Sequence, residues 1–331
     1  MGTIVCFGEI LIDLLAQPPA TPDQPRAFLQ YAGGAPANVA VAAARLGLDT
    51  QFVGMLGRDM FGDFLADSLA QHGVGTDFIA RTAAAKTALA FVALDAHGER
   101  SFSFYRPPAA DLLFRAGDFQ PACFEQAACF HVCSNSLTEP DIAATTFEGM
   151  RRARAAGALV SLDLNLRPAL WPAEADPLPW LWQALELADV VKLSREELEF
   201  LAAPLGNEGE GQVLRRLLAA DARWVVVTDG AAPLRWWTRD GHGEAPSFRV
   251  AMLDSTAAGD AFVGGLLAAL VERGVDAAGL PAFCADAKAM NEVLRFGAAV
   301  GALAVTRKGA FAAMPSRDEV HALLQQPQDI R

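Results

Sequence analysis

The chain has 331 residues, of which 52% are hydrophobic and 20% charged, a composition that excludes disorder along its whole length. Its 27 lysines and arginines against 39 aspartates and glutamates leave a net charge of −12, so a nucleic-acid backbone is a poor partner, while an anionic small molecule would need a locally positive site. Glu9 and Asp13 interrupt the only apolar run near the start, which excludes a signal peptide or membrane partner there, and five scattered cysteines without a CxxC pair read as reduced thiols of a cytoplasmic protein.

Thr3–Phe7 reads as a strand ending at Gly8-Glu9. Pro18, Pro19, Pro22 and Pro25 fill a loop before Ala27–Tyr31, and a helix of small residues runs from about Gly34 to Leu46, stopping at Gly47. Asp59 caps the next helix, in which Phe61, Phe64, Leu65 and Leu69 keep helical spacing. Thr87–Leu94 and Arg100–Tyr105, joined by Asp95-Ala96-His97-Gly98, form a hairpin signal that does not belong to βαβ repetition and predicts a separate small sheet. Strands at Cys129–Cys133, Ala158–Leu162, Val190–Leu193 and Arg223–Thr228 then alternate with helices near 139–156, 177–187 and 208–220. That alternation predicts a mostly parallel sheet with crossover helices. Helical runs at 258–273 and 279–304 and a terminal helix after Pro315 complete one α/β domain with a strand-built accessory element.

There is no GxxxxGK[ST], no GxGxxG after a strand, no HExxH and no GxSxG. The sharpest signal is Asp254-Ser255-Thr256-Ala257-Ala258-Gly259-Asp260, running straight into an apolar helix. Side chains this small let an anion approach the free N–H groups of a helix N-terminus. Asp260 in the first turn then reads either as a group that orients or deprotonates a hydroxyl, or as an acidic residue stabilised by the helix dipole. Asn38, alone among small apolar neighbours after Gly33-Gly34, needs a partner, which a ligand hydroxyl or a loop carbonyl would supply. In Leu159–Pro168, period-two alternation puts Ser161, Asp163, Asn165 and Arg167 on one side, at the carboxyl end of a parallel strand where α/β proteins bind ligands. A salt-linked strand face is the bland alternative. Ser194 and Glu197 have capping-box spacing, and Glu197 could instead hold a water of hydrated magnesium. Cys129-Phe-His131-Val-Cys133 reads as a core strand rather than a metal site, Trp236-Trp237 as packing, and Arg307-Lys308-Gly309 as a phosphate contact or a basic turn.

Gly33–Gly47, GGAPANVAVAAARLG, and Asp254–Gly265, DSTAAGDAFVGG, in that order and separation, resemble the ribokinase-like (PfkB) family of carbohydrate kinases over nearly the whole chain. Tyr105–Asp111, Asp163–Trp171 and Lys192–Leu201 look most like its fructokinase branch. The resemblance implies an α/β fold, a three-layer αβα sandwich with a central mostly parallel sheet and a small β-sheet lid drawn from about 10–31 and 87–106. It implies an ATP-dependent kinase that phosphorylates a primary hydroxyl of fructose, with Mg2+ and a monovalent cation such as K+ as cofactors, and a homodimer formed through the lid. Asp260 then matches the catalytic base, and Ala257, Ala258 and Gly259 the anion hole. Asp13, Gly33, Gly34, Asn38, Phe104, Arg106, Asp163 and Arg167 fall in the sugar region. Lys192, Glu197, Thr228, Gly230, Gly297 and Gly301 fall on the nucleotide side, with Glu197 organising magnesium through water. Asp254 and Thr256, with carbonyls near Ala304, Arg307, Gly309 and Ala313, match a monovalent-cation site.

Three departures stand out. Ser194 replaces the asparagine of the family's NxxE motif, Val39 replaces the lysine of ribokinase-type members, and Ala257 stands where glycine is commonest. A methyl at Ala257 is accommodated if φ there is negative. The neighbouring branch, kinases of 2-keto-3-deoxygluconate, is the runner-up. A nucleoside kinase of the same fold, with Phe102, Phe104 and Tyr105 as an aromatic clamp, and a non-catalytic sugar-binding protein are the other readings.

Overall fold

A computed structural model describes residues 2–17, 21, 23, 25–94 and 100–326. In chain order the elements are β1 (Thr3–Phe7), β2 (Leu11–Gln17), β3 (Ala27–Gly33), α1 (Ala35–Arg45), β4 (Thr50–Gly57), α2 (Met60–Gln71), β5 (Gly75–Thr82), β6 (Leu89–Leu94) and β7 (Arg100–Tyr105). They continue with α3 (Ala122–Glu125), β8 (Ala127–Cys133), α4 (Pro140–Ala155), β9 (Leu159–Asp163), α5 (Leu178–Leu185), β10 (Val190–Ser194), α6 (Arg195–Ala202) and α7 (Gly209–Ala219). The last are β11 (Trp224–Thr228), β12 (Leu234–Trp237), β13 (His242–Ala245), α8 (Ala258–Glu272), α9 (Leu280–Cys284), α10 (Ala287–Ala304) and α11 (Arg317–Gln325).

The central sheet has nine strands in the order β13-β12-β11-β10-β9-β8-β1-β4-β5, and the lid has four in the order β3-β2-β6-β7. All pairings from β11 to β5 are parallel, and the two at the other edge are antiparallel. Successive residues of one strand go to opposite faces. Ile4, Cys6, Val190 and Val226 pack under α1, α8 and α10, while Val5, Phe7, Val191 and Val227 pack under α4, α5, α6 and α7. Burial on both faces makes these strands continuous apolar runs, the signature of a sheet covered by helices on each side. The result is a three-layer αβα sandwich.

The lid has two faces of its own. Register pairs Asp13 with Tyr31 and with Ala90, and Ala90 with Phe104, so these residues share one face, which looks onto the central sheet. Phe28, Phe91 and Tyr105 share the other, where the Phe91 ring centroid lies 5.4 Å from that of Phe28 and 5.0 Å from that of Tyr105. The expected hairpin is present as β6 and β7, whereas its turn residues Asp95–Gly98, the Phe102 side chain, and Pro18, Pro19 and Pro22 lie outside the described residues.

Two elements differ from expectation. The run 279–304 is broken because the Asp286 carboxylate accepts from the N–H groups of Lys288 and Ala289 and starts a new helix, α10. Strand β9 ends at Asp163 because Asn165 takes a positive φ of 41°, which halts the period-two alternation. Ser161, within β9, is the register partner of His131 on β8 and faces it inside the core, with Nδ1 to Oγ 3.1 Å. Burial, with Lys192 nearby, pushes the His131 pKa down to about 3, leaving a neutral core imidazole.

Candidate active site

The carboxyl ends of β1, β8, β9 and β10 deliver Glu9, Asn135, Asn165 and Ser194 to one side of the sheet, opposite the N-terminus of α8. Two cavities, of about 850 Å³ and 910 Å³, open there. The smaller lies between the lid and the sheet and is lined by Asp13, Gly34, Asn38, Phe104 and Arg167. Lys192, Glu197, Thr228, Gly230 and Gly301 line the larger. Asp260 lines both, together with Asn165, Arg167 and Ala257.

Asp260 is only 6% exposed. The Asn38 amide donates to its Oδ2 at 2.8 Å and the Asn165 amide to its Oδ1 at 2.9 Å. Burial raises its pKa above the ordinary aspartate value, against the Asn38 hydrogen bond and the charges of Arg167 and Lys192, which act the other way. A carboxylate can only accept, so both amides must present their NH2 groups to it. Their carbonyl oxygens are left buried without partners, as is that of Asn135. Three orphaned acceptors therefore surround one cavity, a pattern that calls for a ligand bringing hydroxyl donors. The positive φ that ends β9 is also what turns Asn165 toward Asp260.

Lys192 and Asp163 form a buried ion pair at 3.0 Å and 3.1 Å. Burial alone would depress the Lys192 pKa, but Asp163 and Glu197 hold it above the ordinary value, so the ammonium is charged. A Cβ built at Gly259 would lie 3.1 Å from Lys192 Nζ; glycine is what lets the first turn of α8 rest against the cation. The pair thus turns its positive end to the larger cavity, and Asp163 stands behind it rather than in the sugar region where it was expected. Glu197 completes a capping box with Ser194 and also accepts from Leu166 N–H at 2.8 Å. It is at once a cap and a wall of the larger cavity.

Other expected residues lie elsewhere. Arg106 is turned away from the sugar cavity: its Nε pairs with Asp111 at 2.7 Å and its Nη2 donates to the Asn135 carbonyl at 2.8 Å, because an arginine buried in this position needs both partners. Gly33 is not among the residues lining these two cavities; it lies against the Asp13 carboxylate, which a Cβ there would strike. Gly297 is a packing position, where a Cβ would crowd Phe262 of α8 at 3.0–3.2 Å. Ala257 caps α8 with φ +57°, in the left-handed region, so the negative φ expected of an alanine is not what the loop adopts. The Arg307 guanidinium pairs with Glu319, while Lys308 and Gly309 line the smaller cavity. Asp254 accepts from Thr256 N–H at 2.9 Å and Gly309 N–H at 3.2 Å, which brings the two segments of the expected cation site together. Ala304 and Ala313 are buried. Glu9 and Asn135, which no motif marked, also line the smaller cavity.

Sequence and structure comparisons agree with this geometry. The pattern of the pfkB family carbohydrate kinases matches residues 1–317. Fructokinase-1 of Zea mays is 40% identical over 330 residues, 97% of each chain. The crystal structure of a fructokinase with bound ATP from Xylella fastidiosa is 62% identical, covers 98% of each chain and superposes with a TM-score of 0.94. A fructokinase from Vibrio cholerae O395, solved in a form binding fructose, ADP and calcium ion, is 33% identical over 98% of this chain and 99% of its own, with a TM-score of 0.83. Among the described residues no helix is long and apolar enough to cross a membrane.

Proposed function

The chain belongs to the pfkB family of carbohydrate kinases, and from that premise we propose that it is an ATP-dependent fructokinase, with Asp260 as the general base. The observation that carries this reading is the placement of Asp260 where the two cavities meet, its oxygens fixed by Asn38 and Asn165. Fructose occupies the lid-side cavity and ATP the other. Phosphoryl transfer requires an oriented hydroxyl in line with the γ-phosphate and positive potential where charge spreads. Asp260 orients the primary hydroxyl and takes its proton. The Ala258 N–H closes the turn onto the Ser255 carbonyl at 3.3 Å, so the Gly259 N–H at the head of α8 is the donor for the transferring group, and Lys192 and Arg167 supply the local positive charge that a chain of net −12 needs. Magnesium, bound with the nucleotide, neutralises phosphate charge; Glu197 lines that cavity and would hold one of its waters. Asp254, Thr256 and Gly309, with carbonyls near Ala304, Arg307 and Ala313, would hold the monovalent cation.

The remaining assignments complete the proposal. Residues 1–331 act as one kinase unit in the cytoplasm, where the buried thiols remain reduced. A homodimer forms through the lid, whose outward face leaves Phe28 42% and Tyr105 66% exposed. The 2-keto-3-deoxygluconate reading loses support from Arg106, which is buried against Asp111 and is not free to meet a substrate carboxylate. Steady-state phosphorylation of the two sugars decides between them: fructose should have the higher kcat/KM, and a tenfold preference for the keto acid would overturn the assignment.

A further inference from the structure

We propose that Asp59 is a positioning residue for the acceptor sugar: it ties the root of lid strand β6 to the N-terminus of α2 and so sets where the lid holds the walls of the sugar cavity. The inference rests on the fructokinase reading for the identity of the sugar, and it names a residue that lines neither cavity. Asp59 caps α2, with Oδ1 accepting from Gly62 N–H at 2.9 Å. The carboxylate does more than a cap requires. Its Oδ1 also accepts from the Thr87 hydroxyl at 2.8 Å, and its Oδ2 accepts from Thr87 N–H at 2.9 Å. Thr87 Oγ1 accepts in turn from Gly57 N–H at 3.2 Å, at the end of β4. Burial works against ionisation of Asp59, but the hydrogen bonds from Thr87 and Gly62 outweigh it and hold its pKa below the ordinary value. A Cβ at Gly57 would strike the Asp59 carboxylate and Thr87 N, and one at Gly62 would lie 3.1 Å from Thr87 Oγ1. Glycine at both positions is what lets the three segments close on one carboxylate.

The lid strands are tied where they leave the central domain. Glu9, just before β2, accepts from Ala35 N–H at 3.1 Å, just after β3. Arg106, just after β7, is paired with Asp111 at 2.7 Å. The tie at β6 runs through Asp59, since Thr87 is 4% exposed and stands two positions before the strand. Strand β6 lies between β2 and β7, and its Ala90 is the register partner of both Asp13 and Phe104. Asp13 and Phe104 line the smaller cavity, as does Val92 of β6 itself, and none of the three lines the larger one. A displaced root of β6 therefore moves three walls of the sugar cavity and none of the nucleotide cavity. An N-cap alone would act on α2 and leave the sugar site as it is.

The test measures KM for fructose and for ATP, thermal melting, and amide hydrogen exchange in β6 for the wild type, Asp59→Asn, Thr87→Val and Thr87→Ser. Asparagine is as good a cap as aspartate, but with its oxygen on Gly62 N–H it sets an NH2 against Thr87 N–H. Valine keeps the shape of Thr87 and removes the hydroxyl, and serine retains it. Asp59→Asn and Thr87→Val should each raise the KM for fructose roughly five- to tenfold, the size of about one lost hydrogen bond, with the KM for ATP unchanged. The Ala90 and Val92 amides should exchange faster in both variants, while those of β11 keep the wild-type rate. Thr87→Ser should behave as the wild type, and Thr87→Val serves alone if Asp59→Asn does not fold. A lower melting temperature with an unchanged fructose KM in the folded variants, or an equal rise in both KM values, would reduce Asp59 to a cap and overturn the proposal while fructokinase activity stands. A folded wild type that does not phosphorylate fructose would overturn the function reading; β6 amides that exchange no faster in either variant would overturn this inference whatever the sugar.

Discussion

Replacing Asp260 with asparagine should separate the chemistry of this site from its architecture. The new amide keeps the shape of the carboxylate but presents one donor and one acceptor in place of two acceptors. The conflict this creates with Asn38 or Asn165 is resolvable, because each holds an unpartnered carbonyl oxygen and needs only to turn its amide over. The variant should therefore fold. Its stability should also lose a pH dependence. Burial raises the Asp260 pKa, so the stability that this carboxyl contributes is complete below the ordinary aspartate range and is lost as pH rises through the raised value. Above the raised value the variant should melt no lower than the wild type, and its relative advantage should shrink as pH falls toward the ordinary aspartate range. Turnover should fall by ~10²–10⁴-fold, about 3–5 kcal/mol at the barrier, the usual contribution of a general base. Steady-state kinetics and thermal melts on the same preparation make the comparison. A folded Asp260→Asn variant that keeps more than a tenth of wild-type kcat would show that Asp260 is not the base.

Further outcomes follow from the same geometry. In the wild type, kcat should fall on acidification with an apparent pKa above the ordinary aspartate value, as Asp260 takes up its proton; a profile flat to the ordinary value would contradict the assignment. Lys192→Met strands the buried Asp163 carboxylate and should cost about 3–5 kcal/mol of stability, while Lys192→Met with Asp163→Asn should recover much of that stability in a denaturant melt without recovering turnover. Ala257→Gly relieves a left-handed alanine and should raise stability by about 1 kcal/mol after the added chain entropy of glycine. Glu197→Gln turns a donor toward Leu166 N–H or Ser194 N–H and should lower stability by roughly 0.5–2 kcal/mol. A raised magnesium requirement in that folded variant is the mark of its second role, and unchanged magnesium dependence would leave only the cap.

What could be read from the residues, and what could not, has physical causes. The αβα layering was visible from β8 onward because each strand there is a continuous apolar run between helical spacings. Strands β4 and β5 escaped notice: Thr50–Gly57 carries two glycines, and Gly75–Thr82 is only half-buried and mixes charges with apolar residues. The small-residue loop before Asp260 announced itself through local spacing alone. The partners of Asp260 did not, since Asn38 lies 222 positions away and Asn165 95. The β9 alternation holds through Asp163 and is broken beyond it by the positive φ at Asn165, while Asp163 itself was misplaced because its partner, Lys192, comes from the neighbouring strand. Arg106 looked like a sugar contact until the fold supplied Asp111 and Asn135 as closer partners. Glu9 and Asn135 carry no motif; their one sequence signal is a polar residue two positions after an apolar strand, β8 for Asn135 and β1 for Glu9, at the carboxyl end where ligands bind.

The central claim is that a polyhydroxyl acceptor is held by preset amide oxygens with one primary hydroxyl on Asp260. A crystal structure of the protein with fructose and a non-hydrolysable ATP analogue tests it most directly. The account predicts fructose in the cavity beneath the lid, a primary hydroxyl within hydrogen-bonding distance of Asp260, and sugar hydroxyls on the carbonyl oxygens of Asn38, Asn135 and Asn165. Fructose bound elsewhere, or bound there with no hydroxyl facing Asp260, would contradict it.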